Sequence, residues 1–204
     1  DERRANPGDD FLSTLILAED EGSKLSNLEM CALVGAVLGA GSDTAVDLHS
    51  YLIKNLLQHP EEFEALKSDE NLVQGAISET LRYESSGKTG LARYASEDLE
   101  IKGYKVKKGQ MVQLITSTAG MDTKIYNEPR KFDIQRDHDK SISFGQGPHY
   151  CIGVTLVRSQ TEVMLKELFK RYPDLSLGNE IVYDYGHHNA RRMDVMMVNT
   201  NLPK

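Results

Sequence analysis

The sequence predicts a mostly α-helical protein with small β-sheets. Apolar residues recur with helical spacing from about Met30 to Leu57, further amphipathic segments lie on both sides of the chain's middle, and that middle alternates in short stretches between glycine-containing turns. Asp9 to Asp20 (DDFLSTLILAED) has an acidic start and apolar Phe11, Leu12, Leu15 and Ile16, which suits a short amphipathic helix that Gly22 ends. Ser26 followed by Glu29 is a capping box, and the long helix it opens runs until His59 and Pro60 stop the pattern. Some thirty residues at ~1.5 Å each reach ~45 Å, and the apolar middle predicts burial there as a core axis. Pro60 opens a short helix over EEFEALK, and another is predicted from Glu70 to Glu84. From Ser85 the texture changes: SSGKTG is a loop, and LARYAS, LEIKG, YKVKKG and MVQLIT read as the strands of a small sheet. Ser117 to Ser143 reads as helical turns and ordered coil, Val154 to Tyr172 as an amphipathic helix stopped by Pro173, and the remainder as a few short strands.

Composition narrows the class. The 204 residues carry 24 Lys and Arg against 31 Asp and Glu, a net charge of −7, which argues against nucleic acid as a partner. One domain over residues 1–204 is expected. The 2 cysteines, Cys31 and Cys151, form no disulfide framework and suit a reducing, cytoplasmic compartment. The longest apolar run, Met30 to Gly41, is short for a membrane span, and DERRANPGDD has no signal-peptide character, so no membrane insertion by this segment is expected. The charged start without Met reads as the middle of a longer protein.

The stretch FGQGPHYCIG, Phe144 to Gly153, places Cys151 among glycines at the predicted start of a helix. A phosphate cradle would use Gly145 and Gly147, but Tyr150 holds the third glycine's place and no Lys-Ser pair follows. Structural zinc would take Cys151 and His149 and needs partners that only scattered histidines, His138, His187 and His188, offer. An inert buried thiol is the ordinary fate of a lone cysteine. Backbone N–H groups at a helix start favour a thiolate instead, and a thiolate is a strong metal ligand.

The pattern Phe144-x-x-Gly147-x-x-x-Cys151-x-Gly153 resembles the haem-binding signature of the cytochrome P-450 family. The resemblance implies a haem b cofactor with Cys151 as axial thiolate ligand of the iron. It also implies Gly147 and Gly153 keeping side chains clear of the macrocycle, Phe144 packing near the sulfur, and His149 and Arg93 contacting the haem propionates. Ala40-Gly41-Ser42-Asp43-Thr44, in the long helix, is similar to the family's oxygen-activation motif. On that likeness Ala40 and Gly41 would line a groove for dioxygen, while Asp43 and Thr44 would supply protons. Read as residues alone, the small side chains equally suit close helix packing; an Asp on an apolar face needs solvation or a partner, and a Thr can divert a backbone carbonyl.

Glu79 and Arg82 make a Glu-x-x-Arg on a helix, which alone is an ordinary i, i+3 pair. In the family such a pair bonds to a third residue in the coil before the cysteine loop, a place held here by Arg136, so Glu79, Arg82 and Arg136 are expected to form a structural network. These marks occur in the family's order along nearly the whole chain, and they resemble the C-terminal part of soluble, bacterial-type members, with the N-terminal half of the fold absent. What this implies is a monooxygenase using dioxygen, a ferredoxin- or flavodoxin-type electron donor and an apolar small-molecule substrate, with Arg158 and Lys166 candidates to meet an acidic donor. Haem-thiolate peroxygenase, isomerase or reductase chemistry, or a non-catalytic fragment, are the alternatives. SSGKTG lacks the proline often found after this helix, and AGMDTKIYNEP lengthens a turn.

Overall fold

The computed structural model describes residues 2–20, 25–85, 90–185 and 191–200. The chain divides into two compact units, residues 1–44 and 45–204. In the first lie helix α1, Glu2–Ala5, helix α2, Phe11–Asp20, and the beginning of helix α3, Asn27–Gln58. Asp10 accepts the Ser13 backbone N–H at 2.9 Å, so α2 starts at Phe11 rather than Asp9. The expected terminator Gly22 lies outside the described residues. The capping box forms in both directions: Ser26 N–H donates to the Glu29 carboxylate at 2.7 Å, and Glu29 N–H to the Ser26 hydroxyl at 3.3 Å.

Helix α3 has the predicted length but not the predicted burial. After the buried Met30, residues from Cys31 to Thr44 are almost all exposed, with Leu38 65% accessible, and burial resumes only at Asp47 and Leu48. Periodicity shows that a face seeks a partner and is silent on whether the same chain supplies one. By length and composition alone α3 is also able to cross a membrane, with a mean hydropathy of 1.3 over its most apolar window; core helices of soluble proteins pass the same test.

In residues 45–204 the core forms around the second half of α3, where Leu48, Leu52 and Leu56 recur every four residues and are at most 4% exposed. Against them pack Phe63 and Leu66 of helix α4, Pro60–Ser68, and Ala76 and Ile77 of helix α5, Val73–Tyr83. Pro60 occupies the first turn of α4, as its fixed φ favours. The helix predicted from Glu70 instead begins with a 3-10 turn, Glu70–Leu72, because the Asp69 side chain accepts from Asn71 N–H and tightens the entry.

The expected small sheet is two antiparallel pairs. Strand β1, Leu91–Tyr94, pairs with β4, Met111–Leu114, and between them β2, Leu99–Ile101, pairs with β3, Tyr104–Val106. Of the preceding loop, residues 86–89 lie outside the described residues. A one-turn helix α6, Thr116–Ala119, leads into coil, and helix α7, Val154–Arg171, follows the cysteine loop and buries Val154, Thr161 and Leu165. The C-terminal strands are longer than expected: β5, Ser176–Asp184, and β6, Arg192–Asn199, form one antiparallel pair whose register shifts twice, which breaks the alternation a sequence pattern needs. Tyr51 of α3 donates to the Arg191 carbonyl at 2.6 Å, and the Glu84 carboxylate contacts both Lys54 and Arg191, tying α3, the end of α5 and the start of β6 together.

The packing implies a contrast along one helix. Leu52→Ala, at a fully buried position, is expected to cost about 2–5 kcal/mol in urea unfolding, whereas Leu38→Ala should change stability by less than ~0.5 kcal/mol.

Candidate functional site

The cysteine loop is built by its backbone. Ser143 and Ser141 hydroxyls meet at 3.1 Å before it, Gly145 and Gly147 take φ of +74° and +70°, and a 3-10 turn spans Gly147–His149. At Gly147 a Cβ would meet nothing within 4 Å, so it is the left-handed backbone, not crowding, that requires glycine. The Cys151 N–H donates to the Phe144 carbonyl at 3.0 Å and closes the loop at its base. Cys151 itself lies three residues ahead of α7, in a turn closed by Val154 N–H to the Cys151 carbonyl at 3.5 Å, and Gly153 is the residue that precedes the helix. This corrects the expectation of a thiol in the helix's first turn: the two-residue turn Ile152–Gly153 intervenes. Gly153 has φ of −82° and a Cβ there would sit 3.8 Å from the Cys151 sulfur, an ordinary contact that this chain alone would allow.

Cys151 is an exposed free thiol, flanked by apolar surface at Tyr150, Ile152 and Leu156, of which Ile152 is 95% accessible. Phe144 is half-buried, with the Arg158 guanidinium over its ring at 5.6 Å. Arg158 is partly exposed, with its Nε buried and without a hydrogen-bond partner among the described residues, and Lys166 is exposed. His149 is exposed, and Arg93, on β1, is exposed with one guanidinium N–H on the Ala92 carbonyl at 2.9 Å. No group of three or more metal-ligating side chains occurs among the described residues, which leaves the zinc alternative without a ligand set there; His187 and His188 lie outside them. One soft, accessible sulfur bordered by apolar surface is a donor set that suits haem iron, which takes a single protein thiolate.

The Glu79, Arg82 and Arg136 side chains meet. Glu79 is fully buried, and Arg82 binds its carboxylate in the bidentate manner, Nε to Oε2 and Nη2 to Oε1, both at 2.7 Å. Arg136 Nε reaches Oε1 at 3.3 Å and the Asp133 N–H reaches the same oxygen at 2.9 Å. The remaining guanidinium N–H groups point outward onto coil carbonyls: Arg82 to Gly120 at 2.6 Å and Pro129 at 2.7 Å, Arg136 to Asn127 at 2.6 Å. Close packing brings these groups together, since a Cβ on Gly75 of α5 would stand 2.0 Å from the Ile134 carbonyl oxygen. His138 is a member that the sequence did not reveal in this role, with Nε2 3.7 Å from Glu79 Oε2; it sits in aperiodic coil where no pattern points to a partner. Burial holds the His138 imidazole below its ordinary value, against the opposing pull of Glu79.

In residues 1–44, Ala40, Gly41, Asp43 and Thr44 are exposed. Ser42 and Thr44 hydroxyls donate to the carbonyls of Leu38 and Ala40, each at 2.6 Å, the side-chain contact to a backbone carbonyl that a Thr allows, within a helix that runs unbroken from Asn27 to Gln58. Nothing described lies within 4 Å of a Cβ built on Gly41, so the small side chains there do not serve close packing among these residues.

Residues 1–176 match the family model Cytochrome P-450, and the chain belongs to that family. It is 40% identical over 193 residues to the epothilone C/D epoxidase of Sorangium cellulosum, covering 94% of this chain and 46% of that protein. The 6-deoxyerythronolide B hydroxylase of Saccharopolyspora erythraea is 37% identical, with 86% of this chain and 44% of that protein covered. The crystal structure of an epothilone D-bound cytochrome P-450 superposes with a TM-score of 0.91 at 39% identity, over 97% of this chain and 49% of that one. The chain thus spans about half the length of the curated relatives it matches, and its helices and small sheets are a partial cytochrome P-450 fold. The family implies a haem with cysteine thiolate ligation.

Two outcomes test the network. Glu79→Ala leaves two guanidinium groups buried against an empty site and should cost about 3–5 kcal/mol in urea unfolding, whereas breaking the exposed Lys107–Asp98 pair should leave the midpoint unchanged. Because His138 is held below its unfolded value, the unfolded chain takes up its proton first. Stability should therefore be fully present above pH ~6.5 and decline as pH falls below it, and His138→Phe should remove that part of the slope.

Proposed function

We propose that this chain is the cysteine-loop part of a haem-thiolate monooxygenase in which Cys151 would supply the thiolate ligand of the iron. The observation that carries this is the exposed sulfur of Cys151, presented by a loop whose shape is set by two left-handed glycines and one backbone bond to Phe144. Haem b, when bound, supplies dioxygen reduction with two electrons from a ferredoxin- or flavodoxin-type donor and transfer of one oxygen atom to an apolar small molecule. Cys151 would be the sulfur ligand, and Phe144 with the Gly147 and Gly153 backbone would lie beside the haem, where glycine keeps side chains out of its way. His149 and Arg93, both exposed, are free to bind the propionate carboxylates. Ala40 and Gly41 leave open surface on α3, and Asp43 and Thr44 beside them hold and pass protons. The Thr44 hydroxyl donates to Ala40 in this structure, so its lone pairs are the part that can receive a proton from a donor before it turns to give its own.

Glu79, Arg82 and Arg136 do no chemistry in this reading; they hold the coil that leads into Phe144. The apolar surface of α3 seats within the longer fold rather than in a bilayer, since Asp43 and Asp47 interrupt it, and a cytoplasmic setting fits both free thiols. Peroxygenase, isomerase or reductase chemistry on the same haem differs in needing no dioxygen, and Asp43 with Thr44 favours the oxygen-activating reading.

The absorption spectrum of the purified chain, supplied with haemin, reduced and exposed to carbon monoxide, is expected to show the red-shifted Soret band of thiolate ligation. Cys151→Ala should lose that band, and Thr44→Ala should keep it while the full-length protein consumes reductant without matching product. A normal band in the cysteine variant would overturn the ligand assignment, and turnover in the absence of dioxygen would favour the alternative chemistries.

A further inference from the structure

Helix α7 carries one fully buried polar residue among its described positions, Thr161. Its hydroxyl donates to the Val157 carbonyl at 2.6 Å, so toward His49 of α3, whose Nε2 is 3.0 Å away, it has only a lone pair to offer. His49 is therefore the donor, with its proton on Nε2, and imidazole and imidazolium both make this bond. Burial holds His49 below its ordinary value, so the neutral ring with Nε2–H is the form at neutral pH. Less than one turn before Thr161, Arg158 lies over the Phe144 ring at 5.6 Å, and Phe144 is the residue whose carbonyl accepts the Cys151 N–H at 3.0 Å. The Val157 N–H in turn donates to the Gly153 carbonyl at 2.9 Å, which joins the same turn of α7 to the other end of the loop.

We propose that His49 is a positioning residue for Cys151: its bond to Thr161 seats α7 on the second half of α3, and Arg158 on Phe144 and Val157 on Gly153 pass that placement to both ends of the cysteine loop. A positioning role for catalysis rests on Cys151 being the haem ligand; the mechanical link does not. A hydroxyl with no exposure, bonded on both sides, fixes the rotation and the height of a helix more narrowly than apolar contact does, because both distance and angle must be met.

Amide hydrogen exchange of the haem-free chain tests the link. His49→Phe and Thr161→Val should each speed exchange across residues 144–157 by roughly fivefold, the loss of one net hydrogen bond, and leave residues 99–106 unchanged. The double variant should do no more than either single one. His49→Gln, which keeps a side-chain N–H donor, and Thr161→Ser, which keeps the hydroxyl, should restore slow exchange. In the haem-loaded, reduced and carbon monoxide-bound chain, His49→Phe should move part of the Soret band from the thiolate to the thiol position, and His49→Gln should not. Unchanged exchange in residues 144–157, or an equal rise throughout residues 45–200, would overturn the proposal. Exchange without haem reports on the link alone and the Cys151→Ala spectrum on the ligand alone, so either can fail without the other.

Discussion

A carboxylate with no access to water cannot stay ionised without partners, and the fold around the cysteine loop depends on how Glu79 meets that constraint. Arg82 takes both oxygens from one turn along the same helix, Arg136 and the Asp133 N–H approach from the coil, and His138 stands behind them. Each guanidinium, satisfied on one side by the carboxylate, is turned with its remaining donors toward main-chain carbonyls between Gly120 and Lys131. A stretch with almost no regular secondary structure thereby acquires fixed coordinates. The loop that begins at Phe144 inherits them.

The site combines two kinds of order. Along α7, position is set by helical packing and one buried polar contact, whereas along Phe144 to Gly153 it is set by φ angles and one backbone bond. The thiol belongs to the second kind: it stands just outside the helix, where its direction is governed by a short turn. In the other unit, Asp43 and Thr44 lie in a regular stretch of α3 with their side chains on exposed helix surface.

The long helix, the capping box at Ser26, the proline start at Pro60 and the cysteine loop were all legible because each has a local cause that acts within a few residues. The meeting of Glu79, Arg82 and Arg136 was legible only through the family resemblance, since an i, i+3 pair looks the same whether buried or not. Burial along α3 was misread between Cys31 and Thr44, because apolar periodicity marks a face and not its partner. The C-terminal strands were read as shorter than they are, because register shifts put consecutive residues out of alternation. His49 with Thr161 and His138 with Glu79 left no trace in the sequence at all: each joins residues far apart in the chain through ordinary polar side chains.

The coil from Gly120 to Lys131 is gripped by its carbonyl oxygens and by one buried side chain, Tyr126, whose ring lies under the Arg82 guanidinium at 5.3 Å. A carbonyl is the same acceptor whatever residue bears it, so outside Gly120, where a Cβ would stand 2.4 Å from the Arg82 carbonyl oxygen, and the buried Tyr126, the exposed positions of this segment can change while the two arginines go on holding it. Surface identity and internal scaffold are uncoupled there. Changes at those exposed positions can alter how this face meets other molecules without disturbing the loop that carries Cys151.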